Sequence, residues 1–364
     1  MPKILLVGAG KIGSAIAKML CFAARDYNDE QEYDVTVADF NPEALDRLDL
    51  PVKKFQLLPD TSNLEEAIKG NQAVLSACSF SANKEIASIC FQLGPSYFDL
   101  TEDVSTTNFI KKIAAGARDG QIFMPQCGLA PGFIGISAYN LTKEFDKIDT
   151  IKMRVGALPR YPSNTMKYNL TWSTDGLINE YCNFCECIYD GQIVSLPALE
   201  GLEQFSVDGV DYEAFNTSGG LGTLCETLKG KVRHMDYKTA RYPGHRDLMD
   251  FLINGLRFND SRKQLKEIFD TVIPLTKQDV ILIFSSVTGW QDGRLTQVSD
   301  VRKIYSKEMF GEHWSGIQIT TAAGICASVD LHFEGKLPKS GFVRQEDVNF
   351  KDYIENRFGQ FYER

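Results

Sequence analysis

The sequence predicts an α/β fold in which a parallel sheet occupies the first third of the chain and an α+β domain with a largely antiparallel sheet is inserted after it. Two observations support this prediction. In the first third, short apolar runs alternate with stretches whose apolar residues recur at helical spacing, a pattern typical of β–α–β crossovers. From about residue 148 onward, β-like runs dominate.

The elements of the first third follow from these runs in order. The predicted strands are residues 4–7, 35–38, 73–78, 97–100 and 122–124. The predicted helices are residues 11–24, 64–68, 83–93 and 104–117. Strands that alternate with helices of this length indicate right-handed crossovers, so we expect the sheet to be parallel.

The rest of the chain has a different pattern. The predicted strands are residues 151–155, 167–172 and 280–287, and the last of these forms a hairpin with residues 295–304. The predicted helices are residues 248–257 and 262–269, followed by an Ala-rich helix over residues 317–333 that returns to cover the first sheet. We therefore predict a first domain of residues 1–132 and 317–364 and an inserted domain of residues 133–316 that binds the substrate and forms a dimer.

Composition excludes several classes of partner. The formal net charge of −9 argues against binding to nucleic acid or to an anionic membrane, because no basic stripe neutralises phosphates. No apolar run approaches the roughly 18–20 residues that span a bilayer. The apolar part of the N-terminus is too short for a signal peptide. Nine scattered cysteines fit reduced thiols, so we expect a cytoplasmic protein.

A glycine motif stands between the first predicted strand and the first predicted helix. It is G-x-G-x-x-G, in the order Gly8-Ala9-Gly10-Lys11-Ile12-Gly13. This context is typical of a Rossmann domain, where the turn and the helix N-terminus hold the pyrophosphate of a dinucleotide. Asp39 ends the second strand, 26 residues past the last glycine, as expected for the acid that binds the adenosine ribose. Its carboxylate repels a 2′-phosphate, so NAD is favoured over NADP.

Other cofactor contacts are expected at the carboxyl ends of neighbouring strands. Ser76, Ala77 and Cys78 end one such strand. Asp60 follows a possible third strand, and two interpretations stay open for it: a position near the adenine or an exposed loop.

Several segments carry a resemblance to a known family. Besides the glycine motif, they are residues 127–132 (CGLAPG), 168–176 (YNLTWSTDG), 215–224 (FNTSGGLGTL), 241–245 (RYPGH) and 334–338 (EGKLP). With these the sequence resembles the saccharopine dehydrogenase/reductase family, and within it the lysine 6-dehydrogenases. Relatives that form saccharopine or carboxynorspermidine tend to carry Asp where this chain has Ala130, which favours the lysine-deaminating branch. The resemblance implies that the C-terminal helix returns to the nucleotide domain.

The chemistry of that branch requires a neutral amine and a proton carrier. A lysine ε-amine has a pKa of about 10.4, so a general base must accept its proton. His245, in the RYPGH segment, is the leading candidate for the base or for substrate binding. Asp99 and Glu102 follow a strand at the carboxyl edge of the sheet and are the other catalytic candidates. The alternative for these two acids is a helix N-cap cluster ahead of Val104.

An amino-acid substrate also needs an anchor for its carboxylate. Arg241 and Arg154 are the candidates, since a guanidinium fork suits a carboxylate. Tyr168, Trp172 and Ser173 lie on one β-like run, where alternation places the first two on the same face, either as walls for an aliphatic substrate or as part of a core.

Two further predictions concern thiols. Cys127 is expected to pack against the nicotinamide. Cys182, Cys185 and Cys187 lack a nearby fourth ligand, so no metal is expected.

Three functions remain open at this point. The first is NAD-dependent oxidative deamination of L-lysine at its ε-amine to allysine, by a homodimer or larger homo-oligomer acting on a small molecule. The second is a saccharopine-type or carboxynorspermidine-type reductase that joins an aldehyde to an amine. The third is a non-catalytic NAD-binding regulator.

Overall fold

The computed structural model describes residues 1–22 and 32–363. Its strands, numbered in chain order, are β1 Lys3–Val7, β2 Asp34–Asp39, β3 Lys53–Gln56, β4 Ala73–Ser76, β5 Ser96–Asp99, β6 Ile122–Met124, β7 Lys147–Pro159, β8 Cys185–Tyr189, β9 Gln192–Leu196, β10 Glu203–Val207, β11 Val210–Asn216, β12 His234–Arg241, β13 Asp279–Gln291, β14 Arg294–Tyr305, β15 Lys307–Met309, β16 Glu312–Trp314 and β17 Gly341–Phe342.

The helices alternate with the strands in the first third and are more widely spaced after it. They are α1 Lys11–Phe22, α2 Pro42–Asp46, α3 Leu64–Ile68, α4 Phe80–Leu93, α5 Val104–Ala114, α6 Phe133–Thr142, α7 Thr174–Cys182, α8 Leu224–Leu228, α9 His245–Asp250, α10 Arg262–Val272, α11 Gly316–Phe333 and α12 Phe350–Glu355. A π-helical turn at Phe251–Gly255 extends α9. No helix of the described residues has both the length and the apolar character needed to cross a bilayer.

The chain divides into two units. The first contains Met1–Phe133 together with Gln318–Glu363, and the second contains Ile134–Ile317. The sheet of the first unit has the strand order β3-β2-β1-β4-β5-β6-β17, and all of its pairs are parallel. This is the order of a dinucleotide-binding Rossmann sheet with one strand added at the edge. The predicted parallel α/β sheet is therefore confirmed.

The central strands of this sheet carry short apolar runs, such as residues 4–7 in β1 and residues 73–75 in β4. Four of the five residues of β1 are buried, as are all four of β4 and of β5. A continuous apolar run suits a strand covered on both faces by helices. From Gln318 onward, α11 belongs to this unit, where the Cys326 thiol contacts the Ile16 carbonyl of α1. The prediction that the C-terminal helix completes the first sheet is confirmed.

The second unit contains a mixed sheet. Its strand order is β10-β11-β12-β7-β13-β14, and β8 joins β12 to β9. β7 and β12 run parallel, whereas the other pairs are antiparallel. The predicted hairpin is confirmed as β13 and β14, joined by Asp292 and Gly293. Both residues have positive φ, as a two-residue type I′ turn requires.

One predicted strand of the second unit is wrong. Residues 167–172 form an irregular segment, in which Leu170 makes an isolated bridge to Leu275. Lys167 has a φ of 49°, and the Asn164 side chain bonds both the N–H and the carbonyl of Tyr168. Because this side chain takes the backbone groups that a strand would pair, the alternation argument for Tyr168 and Trp172 does not hold.

The core of the second unit lies between the sheet and the helices α7, α9 and α10. It is a cluster of buried apolar and aromatic side chains that includes Tyr168, Tyr181, Phe215, Met249 and Phe269. Two of these aromatic residues carry hydroxyl groups, which places polar atoms inside an apolar core. Such atoms are costly there unless they find partners.

Candidate functional site

The turn between β1 and α1 is tightly packed at two of its three glycines. Gly8 has a φ of +105°, and a Cβ atom on it would lie 3.1 Å from backbone atoms of Ala77. A Cβ atom on Gly13 would lie 1.9 Å from the Gly8 carbonyl oxygen. By contrast, a Cβ atom on Gly10 would have no neighbour within 4 Å. The turn therefore has no room for a side chain at Gly8 and Gly13, where α1 packs against β1. It has free space at Gly10, where the backbone approaches a phosphate in this fold.

The neighbouring strands end beside the turn. Ala77 donates its N–H to the Val7 carbonyl, and the Cys78 thiol lies 3.4 Å from the same oxygen. The Ser76 hydroxyl donates to the Asn83 side chain. This edge, between β1 and β4, is the point at which the order of an open parallel sheet reverses and at which such sheets bind ligands. The predicted residues 76–78 therefore adjoin the glycine turn.

Asp39 ends β2 with its carboxylate directed to the same turn. Its Oδ2 accepts a hydrogen bond from the Ala9 N–H at 2.6 Å, and its Oδ1 accepts one from the Asn41 N–H at 2.8 Å. The next side chain, Phe40, is 68% exposed. The half-buried carboxylate is thus fixed in position beside the turn.

The other predicted cofactor contacts are two residues of the glycine motif, Lys11 and Ile12, and the more distant Asp60. Lys11 and Ile12 begin α1, and Lys11 is exposed. Asp60 lies in an exposed loop, where its carboxylate accepts hydrogen bonds from the N–H and hydroxyl of Ser62, which lower its pKa. Asp60 is thus exposed, and its position near the adenine stays a prediction.

Asp99 is fully buried at the carboxyl end of β5. Its carboxylate accepts hydrogen bonds from the Tyr97 hydroxyl at 2.8 Å, the Thr101 N–H at 2.9 Å and the Gln126 N–H at 3.1 Å. Burial raises its pKa to about 6, against the lowering effect of these bonds. The carbonyl of Asp99 also accepts the N–H of Cys127. Asp99 therefore ties the end of β5 to the segment that follows β6.

Glu102 and Cys127 are the other predicted residues of this region. Glu102 is half-buried and is not the cap of α5, because Asp103 accepts the Thr106 N–H in that role. The Cys127 thiol donates to the Met124 carbonyl at 3.0 Å, and burial raises its pKa. A thiol in this state behaves as a small apolar group.

In the second unit, Arg241 ends β12 inside the core. Its Nε donates to the Tyr181 hydroxyl at 3.0 Å, and its Nη1 donates to the Ala240 carbonyl at 2.9 Å. The guanidinium lies 5.1 Å from the Tyr168 ring centroid and 5.9 Å from that of Tyr181. Arg241 is 2% exposed, yet no carboxylate of the described residues lies within ion-pair distance of it, and Glu180 acts on it only from farther away. A buried cation in this condition favours an anionic ligand.

His245 lies against the same residues. Its Nδ1 is 2.9 Å from the Met166 carbonyl oxygen, and its Nε2 is 3.0 Å from the Tyr181 hydroxyl. It is 1% exposed, and its ring contacts Tyr168 and Phe215. Burial lowers its pKa to about 3, and the charge of Arg241 adds to the effect. We call these five residues, Tyr168, Tyr181, Phe215, Arg241 and His245, the Arg241 cluster.

The turn before His245 is held by an acid on the adjacent strand. Glu213 of β11 accepts hydrogen bonds from the N–H groups of Gly244 at 2.8 Å and Arg246 at 2.6 Å. Gly244 has a φ of +97°, which explains a glycine at this place. The carboxylate thereby binds the first amides of α9 and fixes the direction in which His245 enters the core.

Other predicted substrate residues lie outside the Arg241 cluster or at its edge. Arg154 of β7 is ion-paired with Glu203 and, at 2.6 Å, with Asp236. Ser173 is exposed, and its hydroxyl accepts the Gly176 N–H as the N-cap of α7. Trp172 is half-buried at the margin of the core. The structure thus brings Arg241, His245 and Tyr168 together and assigns Arg154 to a separate ion-pair network.

The cysteine-rich segment contributes to β8. Cys185 and Cys187 are buried there, and burial raises the pKa of both thiols. Over residues 1–22 and 32–363, no three His, Cys, Asp or Glu side chains converge as metal ligands would.

Tyr181, Phe215 and Glu213 were not among the site residues predicted from the sequence. Tyr181 lies on α7 at helical spacing from Leu177 and Ile178, so its position is typical of a core residue. Glu213 lies in a strand whose last five residues are buried. An acidic residue inside such a run is unusual, and this is the feature that could have identified it as a site residue.

Comparison with known families accounts for nearly the whole chain. The sequence pattern of the saccharopine dehydrogenase NADP binding domain matches residues 4–124. The pattern of the saccharopine dehydrogenase C-terminal domain matches residues 128–358.

Solved structures agree with these matches at the level of the fold. Apo saccharopine dehydrogenase (L-Glu forming) from Saccharomyces cerevisiae is similar with a TM-score of 0.75 and 15% identity, over 100% of this chain and 96% of that one. Homospermidine synthase from Legionella pneumophila, in complex with NAD, is similar with a TM-score of 0.65 and 13% identity, over 99% of this chain and 89% of that one.

Proposed function

This chain belongs to the saccharopine dehydrogenase family, and from that premise we propose that it is an NAD-dependent oxidoreductase that deaminates L-lysine at the ε-amine. The observation that carries the amino-acid part of the proposal is the Arg241 guanidinium, buried beside two tyrosine rings without a carboxylate partner among the described residues. The α-carboxylate of an amino acid would supply the missing anion.

The residues of the first unit fit a dinucleotide. Open space at Gly10 leaves room for the pyrophosphate beside the N-terminus of α1. The fixed carboxylate of Asp39 would accept hydrogen bonds from the adenosine ribose and repel a 2′-phosphate, which supports NAD as the cofactor. When bound, NAD supplies the acceptor for a hydride from the substrate.

The proposed reaction balances with water as the other reactant. The ε-carbon of lysine loses a hydride and its C–N bond breaks after water adds, so lysine, NAD⁺ and water give allysine, NADH, an ammonium ion and one proton. In this scheme Arg241 binds the substrate carboxylate, and the tyrosine rings beside it exclude water. The amine must be neutral, and deprotonating it at pH 7 costs about 4.6 kcal/mol. The rate should therefore rise toward alkaline pH.

The experiment mixes the purified protein with NAD and L-lysine at pH 7–10 and follows NADH absorbance. The matched substrate control is cadaverine, the diamine that corresponds to lysine without its carboxylate. We expect a much higher KM for cadaverine because Arg241 would have no anion to bind. No NADH with lysine, ornithine or a polyamine at pH 9–10 would contradict the proposal. Turnover seen only with NADH or NADPH plus an aldehyde and an amine would identify a condensing reductase instead.

Asp39→Ser tests the preference for NAD. We expect the Kd of NAD to rise on the order of 10–100-fold, because hydrogen bonds to a charged group contribute about 1.5–3 kcal/mol, and NADP to bind as well as NAD. Calorimetric titration with both dinucleotides measures this. Asp46→Ser, which removes an exposed carboxylate at the end of α2, is the matched control and should leave both affinities unchanged. An unaltered NAD affinity in Asp39→Ser would exclude the proposed role.

A further inference from the structure

We propose that Tyr181 and His245 are positioning residues that hold the Arg241 guanidinium, with the imidazole neutral and protonated on Nδ1, and that His245 exchanges no proton with the substrate. The inference deepens the proposed function and rests on it for its kinetic consequences only. Its basis is a chain of three hydrogen bonds that runs from the Met166 carbonyl through His245 and Tyr181 to Arg241.

The first bond fixes the tautomer of His245. Its Nδ1 lies 2.9 Å from the Met166 carbonyl oxygen, which can only accept a hydrogen bond. The proton must therefore be on Nδ1. In a neutral ring, Nε2 is then an acceptor.

The other two bonds fix the Tyr181 hydroxyl. Arg241 Nε can only donate, so the Tyr181 oxygen accepts from it at 3.0 Å. The hydroxyl proton is then free to point at His245 Nε2, also 3.0 Å away. Tyr181 thus accepts from the guanidinium and donates to the imidazole, and both of its partners are held in one orientation.

The charges around His245 favour the same state. A second proton on the ring would place an imidazolium beside the Arg241 guanidinium in a buried cluster, next to the rings of Tyr168, Tyr181 and Phe215. It would also leave the Tyr181 hydroxyl proton without its acceptor. Burial and the Arg241 charge accordingly lower the pKa of His245. The carboxylate of Glu213 does not offset this charge by contact with the ring, because its oxygens accept the amides of Gly244 and Arg246.

A general base needs a lone pair that can reach the substrate amine. The lone pair of His245 Nε2 is engaged by the Tyr181 hydroxyl. The geometry therefore replaces the predicted role of His245 as the base with a role in holding Tyr181. Tyr181, in turn, fixes the guanidinium for a carboxylate.

The first measurement is the tautomer of His245 by ¹⁵N NMR on the intact protein. The chain has four histidines, and a His245→Gln sample assigns the signal. We expect Nδ1 protonated, Nε2 unprotonated and no titration of this ring between pH 5 and 9. A ring protonated on Nε2, or one that titrates near pH 6.5, overturns the proposal whether or not the protein oxidises any amine.

The second measurement compares Tyr181→Phe with Tyr237→Phe. Tyr237 is also a buried tyrosine of this unit, on β12 and outside the Arg241 cluster, so it is the control. For Tyr181→Phe we expect the KM for lysine to rise about tenfold, kcat to change less than threefold and the KM for cadaverine to stay constant. Tyr237→Phe should change none of these values.

The kinetic outcome separates positioning from proton transfer. A large loss of kcat in Tyr181→Phe with an unchanged KM for lysine would show that the pair moves protons, and it would overturn the proposal. If the wild-type protein oxidises no amine, the proposed function fails, and the NMR result still decides the protonation state and the role of the cluster.

Discussion

Gly13→Ala is expected to abolish NAD binding, with a rise in Kd of more than about 100-fold, and to lower the free energy of unfolding. The added Cβ would lie 1.9 Å from the Gly8 carbonyl oxygen and 2.8 Å from its carbon, so α1 must move away from β1. Overpacking of this kind costs about 1–3 kcal/mol, and here the obstacle is backbone that no rotamer change relieves. The better helix propensity of Ala returns only about 1 kcal/mol.

Gly10→Ala provides the comparison that separates folding from binding. Its Cβ would have no neighbour within 4 Å, so we expect the same thermal midpoint as the wild-type protein. The methyl group would stand where the backbone approaches the pyrophosphate, so the affinity for NAD should still fall. Thermal unfolding and calorimetric titration of both variants measure the two effects. Full NAD affinity in Gly13→Ala would show that the dinucleotide does not use this turn.

Arg241→Met is expected to raise the KM for lysine by more than about 100-fold while the KM for cadaverine changes little. The substitution removes the one guanidinium of the Arg241 cluster, and charge-assisted pairs with good geometry are about twice as strong as neutral hydrogen bonds. Steady-state kinetics with the two substrates isolate the carboxylate, because the amine that reacts is the same in both.

Arg154→Met is the matched control for this prediction. It removes a second buried guanidinium of the same unit, whose charge is already paired with Glu203 and Asp236. Breaking that network should lower stability, since it leaves the carboxylates of Glu203 and Asp236 with Lys238 as their cation. It should not alter the ratio of the two KM values. The same ratio in Arg241→Met and in the wild-type protein would show that Arg241 does not bind the substrate.

The parts of the molecule that could be predicted from the sequence are those defined by local patterns. The glycine turn, its flanking strand and helix, and Asp39 lie within the first 39 residues, and each has a direct physical reason for its residue type. The same holds for the hairpin at Asp292 and Gly293, where two positive φ values select the residues. The family could be predicted as well, because its segments extend along most of the chain.

The rest of the site depends on contacts between distant residues. Tyr181 meets Arg241 and His245 across about 60 positions of sequence, and no local pattern marks it. The strand predicted for residues 167–172 failed for a related reason, since the Asn164 side chain takes backbone bonds that apolar periodicity does not register. From the sequence, Arg154 and Arg241 are equal candidates for binding the substrate carboxylate. Only the residues that contact each guanidinium in the structure distinguish the two.

The first unit consists of two segments that are far apart in the sequence, so the ribosome makes them at different times. Asp330 of α11 accepts hydrogen bonds from Tyr33 near the start of the chain and from Asn356 and Arg357 near its end. While the ribosome is still making residues 134–317, strands β1–β6 have been made without Asp330, without Asn356 and Arg357, and without β17. The inserted unit therefore has all of its residues first, and we expect the first unit to finish folding only after residues 318–363 have been made.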